Sequence, residues 1–151
     1  MNTQDKRGFF VLPQNPEESG YYIYGTPTGG QGQYAHPSML SFLFWLEFRW
    51  SANEQRKFGV GNISLAEGAT FKPHRSHRNG LQVDIRPIRK DGAQAPVSYK
   101  SRDYDLAATK RLVALIISSS MVNKVMFNDP HINGLKPLAG HDDHIHVEVR
   151  I

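Results

Sequence analysis

The chain has no cysteine among its 151 residues. That excludes a disulfide framework and any thiolate metal site, so a bound metal has to be held by histidine and carboxylate. Long apolar runs are missing as well. The richest one, Met39 to Trp50, is interrupted by Ser41, Glu47 and Arg49 and falls well below the roughly 20 residues needed to cross a bilayer. No transmembrane segment is expected. Near the N-terminus, Gly8-Phe9-Phe10-Val11-Leu12 stops at Pro13, short of the apolar core of about 7 to 15 residues in a secretory signal. The expectation is synthesis in the cytoplasm without a signal peptide. There is also no block of like charge. The net charge of +4 comes from basic residues scattered along the chain, which favours an anionic partner. Without a basic helix or a recognisable motif, nucleic acid is not expected as that partner.

What is present suits one soluble globular domain spanning residues 1–151. Hydrophobic residues at 39% and charged residues at 21% are too apolar a mixture for a disordered chain and too polar for a membrane protein. A chain of this length buries roughly two thirds of its unfolded surface. Residues 1–35, rich in Gly, Pro, Gln and Tyr, read as an irregular covering segment. After Pro37, the spacing of Met39, Phe42, Leu43, Leu46 and Trp50 predicts a helix with a buried stripe. A second helix is expected from about Asp103 to Ser119, with Leu106, Thr109, Val113, Ile116 and Ile117 on one face. Four segments (58–65, 81–88, 122–128 and 144–151) read as strands. The pattern is α+β, a mainly antiparallel sheet with flanking helices.

The last strand alternates Ile145, Val147, Val149 and Ile151 with His144, His146, Glu148 and Arg150, so burying the first set aims both histidines at the opposite face. The 81–88 strand repeats this logic, with Gln82, Asp84 and Arg86 opposite Leu81, Val83 and Ile85. If the two strands are neighbours, Asp84 lies near His144 and His146, and the turn before Leu81 can bring in His77. A lone His-x-His is more often strand surface than a metal site. Asp84 shifts that balance, because a carboxylate among strand formers is costly unless it is paired or metal-bound. The alternative for Asp84 is an ion pair with Arg78 or Arg86. Four of the seven histidines, His74, His77, His144 and His146, fall in two short segments aimed at one cleft. Two imidazoles and a carboxylate leave a divalent zinc with a net charge of about +1, enough to lower the pKa of a bound water from 15.7 to roughly 7. His74 and His77 are spaced His-x-x-His, but Pro73 before them and Asn79-Gly80 after them argue for a loop and against a helical zincin motif.

The block His74-Arg75-Ser76-His77-Arg78-Asn79-Gly80-Leu81-Gln82-Val83-Asp84-Ile85 is followed much later by Gly140-His141-Asp142-Asp143-His144-Ile145-His146-Val147. Together they closely resemble the penicillin-insensitive murein endopeptidases, part of the group that includes lysostaphin, D-Ala-D-Ala carboxypeptidases and the hedgehog domain. The resemblance covers residues 59 to 151 and includes Val125 to Pro130. It implies that His77, Asp84 and His146 bind zinc, that His144 is the catalytic base or charge stabiliser, and that His74, His141, Ser76 and Arg86 lie beside the metal or touch substrate. The implied reaction is hydrolysis of peptide bonds in the stems or cross-links of peptidoglycan, in the periplasm or outside the cell. This chain is shorter than the secreted members of the family and lacks their cysteines and signal peptide. That fits a phage lytic enzyme or a secreted antibacterial effector, the latter with an immunity protein as partner. The competing reading is a non-catalytic, zinc-stabilised module that binds the wall or another protein.

Overall fold

The computed structural model describes residues 2–151. In chain order its elements are β1 (Phe10–Val11), β2 (Tyr21–Ile23), β3 (Tyr34–Ala35), α1 (Pro37–Ser51), β4 (Phe58–Val60), β5 (Gln82–Arg86), α2 (Leu106–Ser118), β6 (Val122–Met126) and β7 (Ile145–Val149). The fold is α+β, as expected. Among the described residues, no helix is long and apolar enough to cross a membrane.

Local chemistry sets where both helices begin. Pro37 occupies the first turn of α1, where its missing N–H costs nothing, and the His36 imidazole accepts the Ser38 N–H at 3.0 Å as a cap. Met39, Phe42, Leu43, Leu46 and Trp50 are buried, the stripe read from the sequence. Asp105 caps α2 by accepting the Ala108 N–H at 2.9 Å. The buried face of α2 runs through Ala108, Thr109, Leu112, Val113 and Ile116. Ile117, expected on that face, is 42% exposed. It sits one residue, about 100°, past Ile116, and Leu112 takes the core position instead.

The main sheet has the order β2-β4-β5-β7-β6. β2 runs parallel to β4 and the other pairings are antiparallel, so the sheet is mixed, with a mostly antiparallel character. Residues 2–35 depart from the irregular segment expected over 1–35. They supply the edge strand β2 and a separate two-stranded sheet, β1 with β3. Strands of two or three residues are too short to show alternation in a stretch full of turn formers, yet Tyr21 is fully buried. Val83, Ile85, Ile145, Val147 and Val149 pack with the buried residues of α1 and α2 into one core, each fully buried side chain contributing about 1.5 to 3 kcal/mol. Alternation then turns Asp84 and His146 to the other face of the sheet, where loops cover them.

Candidate active site

The β5–β7 register sets Asp84 directly opposite His146 and Gln82 opposite Glu148. The same pairing puts Val83 against Val147 in the core, so apolar burial on one face fixes the polar juxtaposition on the other. Asp84, His146 and His77 are all buried. Asp84 Oδ1 lies 3.2 Å from His146 Nδ1 and 3.3 Å from His77 Nε2. Burial opposes the charge on Asp84, but the His146 and His77 imidazoles outweigh it and hold the carboxyl below its ordinary range. Burial likewise works against a charged His146, and Asp84 with Glu148 reverses that, raising its pKa.

His77 arrives on the loop expected between Pro73 and Gly80, with φ at 63°, a left-handed conformation that costs a non-glycine residue roughly 1 to 2 kcal/mol. Its N–H donates to Gln82 Oε1 at 2.6 Å, and its Nδ1–H donates to the Ile63 carbonyl at 3.2 Å. A carbonyl can only accept, so in the neutral ring the Nε2 lone pair is left facing Asp84. His146 is oriented in the same way from the other strand, with Nε2 bonded to Glu148 Oε1 at 3.2 Å and Nδ1 turned to Asp84. Gln82 Nε2 in turn donates to Glu148 Oε1 at 3.2 Å, so Gln82 and Glu148 link the His77 backbone to the His146 imidazole. At the loop's end Gly80 has φ at +71°, and a Cβ there would stand 2.7 Å from the His36 amide nitrogen. Only glycine lets the loop close onto the start of α1 at this point.

These groups face a cleft of about 460 Å³ lined by Pro73, His74, Arg75, Ser76, His77 and Asp84 from the first block and its strand, and by Met126, Leu138, Ala139, His141, His144 and His146 from the later part of the chain. The two sequence blocks therefore meet across one opening. His74, His77 and Asp84 have ligand atoms within 4.8 Å of one another and could hold a metal ion. His146 approaches the same Asp84 oxygen, 3.2 Å from Nδ1, and its ring meets that of His77 edge-on with centroids 5.0 Å apart. His74 differs from His146 in how its nitrogens are used. Asn62 Oδ1 accepts the Thr26 N–H at 2.8 Å, which fixes the amide, and Asn62 Nδ2 then donates to His74 Nε2 at 2.8 Å. The proton of a neutral His74 must therefore sit on Nδ1, leaving that ring no free lone pair. Burial, reinforced by the neighbouring His77, lowers the His74 pKa.

His144 stands at the rim with Nδ1 bonded to Asp143 Oδ1 at 2.9 Å, which leaves Nε2 free. His141 packs against it, ring centroids 4.5 Å apart, and donates from Nδ1 to the Ala139 carbonyl at 3.2 Å. Burial and then His144 lower the His141 pKa. Ser76 lines the cleft; Arg86 does not, its guanidinium lying 3.8 Å over the Tyr24 ring. Sequence reasoning singled out no role for Gln82, Glu148, Asn62 or Asp143. The cross-strand positions of Gln82 and Glu148 carried the only available signal, since both sit two residues from an expected ligand on the same strand face.

A buried carboxylate flanked by oriented imidazoles at the floor of an open cleft defines a candidate hydrolytic centre on an α+β scaffold. The chain belongs to the penicillin-insensitive murein endopeptidase family, whose model matches residues 27–114. Membership places it in a peptidase family that acts on murein, and so supports peptidoglycan hydrolysis. The matched stretch includes the His74–Ile85 block and ends before His141. Among the curated proteins, none matches the chain.

Proposed function

We propose that residues 1–151 form a zinc-dependent peptidase that cleaves peptide bonds in bacterial peptidoglycan stems or cross-links. In this reading His77, Asp84 and His146 hold the ion and His144 handles the proton. The observation that carries it is the pair of 3.2 and 3.3 Å separations around Asp84 Oδ1. Ligands about 2.0 to 2.1 Å from a tetrahedral zinc stand about 3.3 Å from one another. An imidazole lone pair that close to a carboxylate oxygen repels it unless a proton or a cation lies between them, and the raised pKa of His146 is the proton's version of that requirement. Asn62 occupies His74 Nε2, which favours His146 over His74 as the third ligand.

A zinc ion held there supplies Lewis acidity, lowering the pKa of water to about 7 and polarising a carbonyl. The protein's own contribution is orientation and proton movement. Asp143 accepts His144 Nδ1–H, so the free Nε2 can take a proton from a nucleophile and the resulting imidazolium is stabilised by the adjacent carboxylate. His141 lies against that ring, and Arg75 on the cleft wall suits the free carboxylates of wall stems. Met126, Leu138 and Ala139 supply the apolar side of the opening. The biological setting we favour is lysis by a phage enzyme or delivery as an antibacterial effector, with action on the wall in the periplasm or outside the cell.

Digestion of defined peptidoglycan fragments with mass analysis of the products, with and without a chelator, tests the reading. New amino and carboxyl termini that disappear on chelation are expected. Intact fragments after incubation with zinc-loaded protein would leave the binding-module reading in its place.

A further inference from the structure

The stretch before the family match is tied directly into the loop that carries His77. The Asp5 side chain is completely covered and accepts the N–H groups of Arg7 at 2.9 Å, Phe9 at 3.2 Å and Glu67 at 2.9 Å. It also holds the Arg7 guanidinium at 2.7 Å. Arg7 then spreads its remaining donors over two separate segments. One nitrogen reaches Ser64 Oγ at 3.1 Å and the Leu65 carbonyl at 3.0 Å, and the other donates to the Arg78 carbonyl. Phe9 lies beneath the guanidinium, 4.2 Å away.

Each anchor adjoins something that orients His77. Ser64 and Leu65 follow Ile63, whose carbonyl accepts His77 Nδ1–H. Arg78 follows His77, whose left-handed backbone persists only while its surroundings over-determine it. A planar guanidinium offers five donors in a fixed fork, so one side chain can lock the distance between the two segments. We propose that Arg7, held by Asp5, is a positioning residue for the cleft: it clamps the Ile63–Leu65 stretch to the His77–Arg78 turn and so fixes the direction of His77 Nε2. The consequence for metal binding rests on the reading of His77 as a ligand.

The test uses the full chain carrying Arg7→Ala, Arg7→Lys or Asp5→Asn, with two readouts. In metal-free protein, long-range ¹H–¹⁵N NMR reports the His77 Nδ1–H bonded to Ile63 and, as an internal control, the His146 Nε2–H bonded to Glu148. In Arg7→Ala the His77 signal is expected to lose about tenfold of its exchange protection while the His146 signal holds, and zinc affinity in a chelator competition is expected to fall about tenfold. Arg7→Lys keeps the charge but gathers its donors on one nitrogen that cannot span the two segments as a guanidinium fork does, so it should fall between Ala and wild type; it also serves if Arg7→Ala fails to fold. An unchanged His77 signal in a folded variant overturns the proposal, even if melting temperature drops. Wild-type protein with an ordered His77 Nδ1–H but no zinc affinity would instead sink the metal reading, and the NMR comparison would still decide the role of Arg7.

Discussion

Glu148→Ala tests the orientation of the centre without touching any proposed ligand. Glu148 Oε1 is the acceptor, at 3.2 Å, that keeps the His146 ring proton on Nε2. Without it the proton can move to Nδ1, where Asp84 Oδ1 waits at 3.2 Å, and a protonated Nδ1 cannot bind a metal. Removing the hydrogen-bond partner of a liganding histidine typically lowers metal affinity about 10 to 100-fold, equivalent to about 1.4 to 2.7 kcal/mol. The Glu148 side chain is 23% exposed, so water can replace part of what is lost, and we expect the low end, about tenfold. Glu148→Gln keeps an oxygen acceptor and should lose less. Competition between the protein and a chromophoric chelator for zinc measures the difference, and far-UV circular dichroism establishes that β7 is intact. Wild-type affinity in a folded Glu148→Ala would refute the reasoning that this carboxylate sets the His146 tautomer.

Asp84→Ala should abolish zinc retention through dialysis, because it removes the oxygen around which both imidazoles are arranged. His144→Ala should retain zinc while hydrolysis of wall fragments slows about 10² to 10⁴-fold; loss of the metal in that variant would reverse the division of roles. Zinc binding should release a proton and weaken as pH falls through the raised pKa of His146, since the ligand must be neutral; calorimetry in buffers of different ionisation enthalpy measures the release. Far from the cleft, Arg56 and then Arg111 hold the Glu54 carboxyl down to about 2 from an ordinary 4.5. Glu54→Gln should therefore cost about 1 kcal/mol after solvent screening. That difference is present above about pH 4.5 and fades as pH falls towards 2, the sign required of a depressed carboxyl; urea midpoints across pH 2 to 7 read it.

The sequence by itself determined the two helices, the longer strands of the main sheet and the residue types available at the cleft. Period 3.6 in α1 and period 2 in β5 and β7 are local consequences of which side chains can be buried, and they were legible because those runs are long enough to repeat. The same alternation assigned Asp84 and His146 to a polar face and, with the absence of cysteine, limited any metal to imidazole and carboxylate. The strands of residues 1–35 were not legible, because two or three residues carry no period. Only the tertiary structure decided which strand pairs with which, since register is settled by how Val83 and Val147 pack beneath the helices. It alone brought Arg7 to Arg78, Asn62 to His74 and Glu148 to the far side of the His146 ring. Arg7 and Arg78 are 71 residues apart and Asn62 and His74 are 12 apart. Glu148, only two residues from His146, reaches its ring through side-chain orientation, and a period of burial encodes none of these approaches.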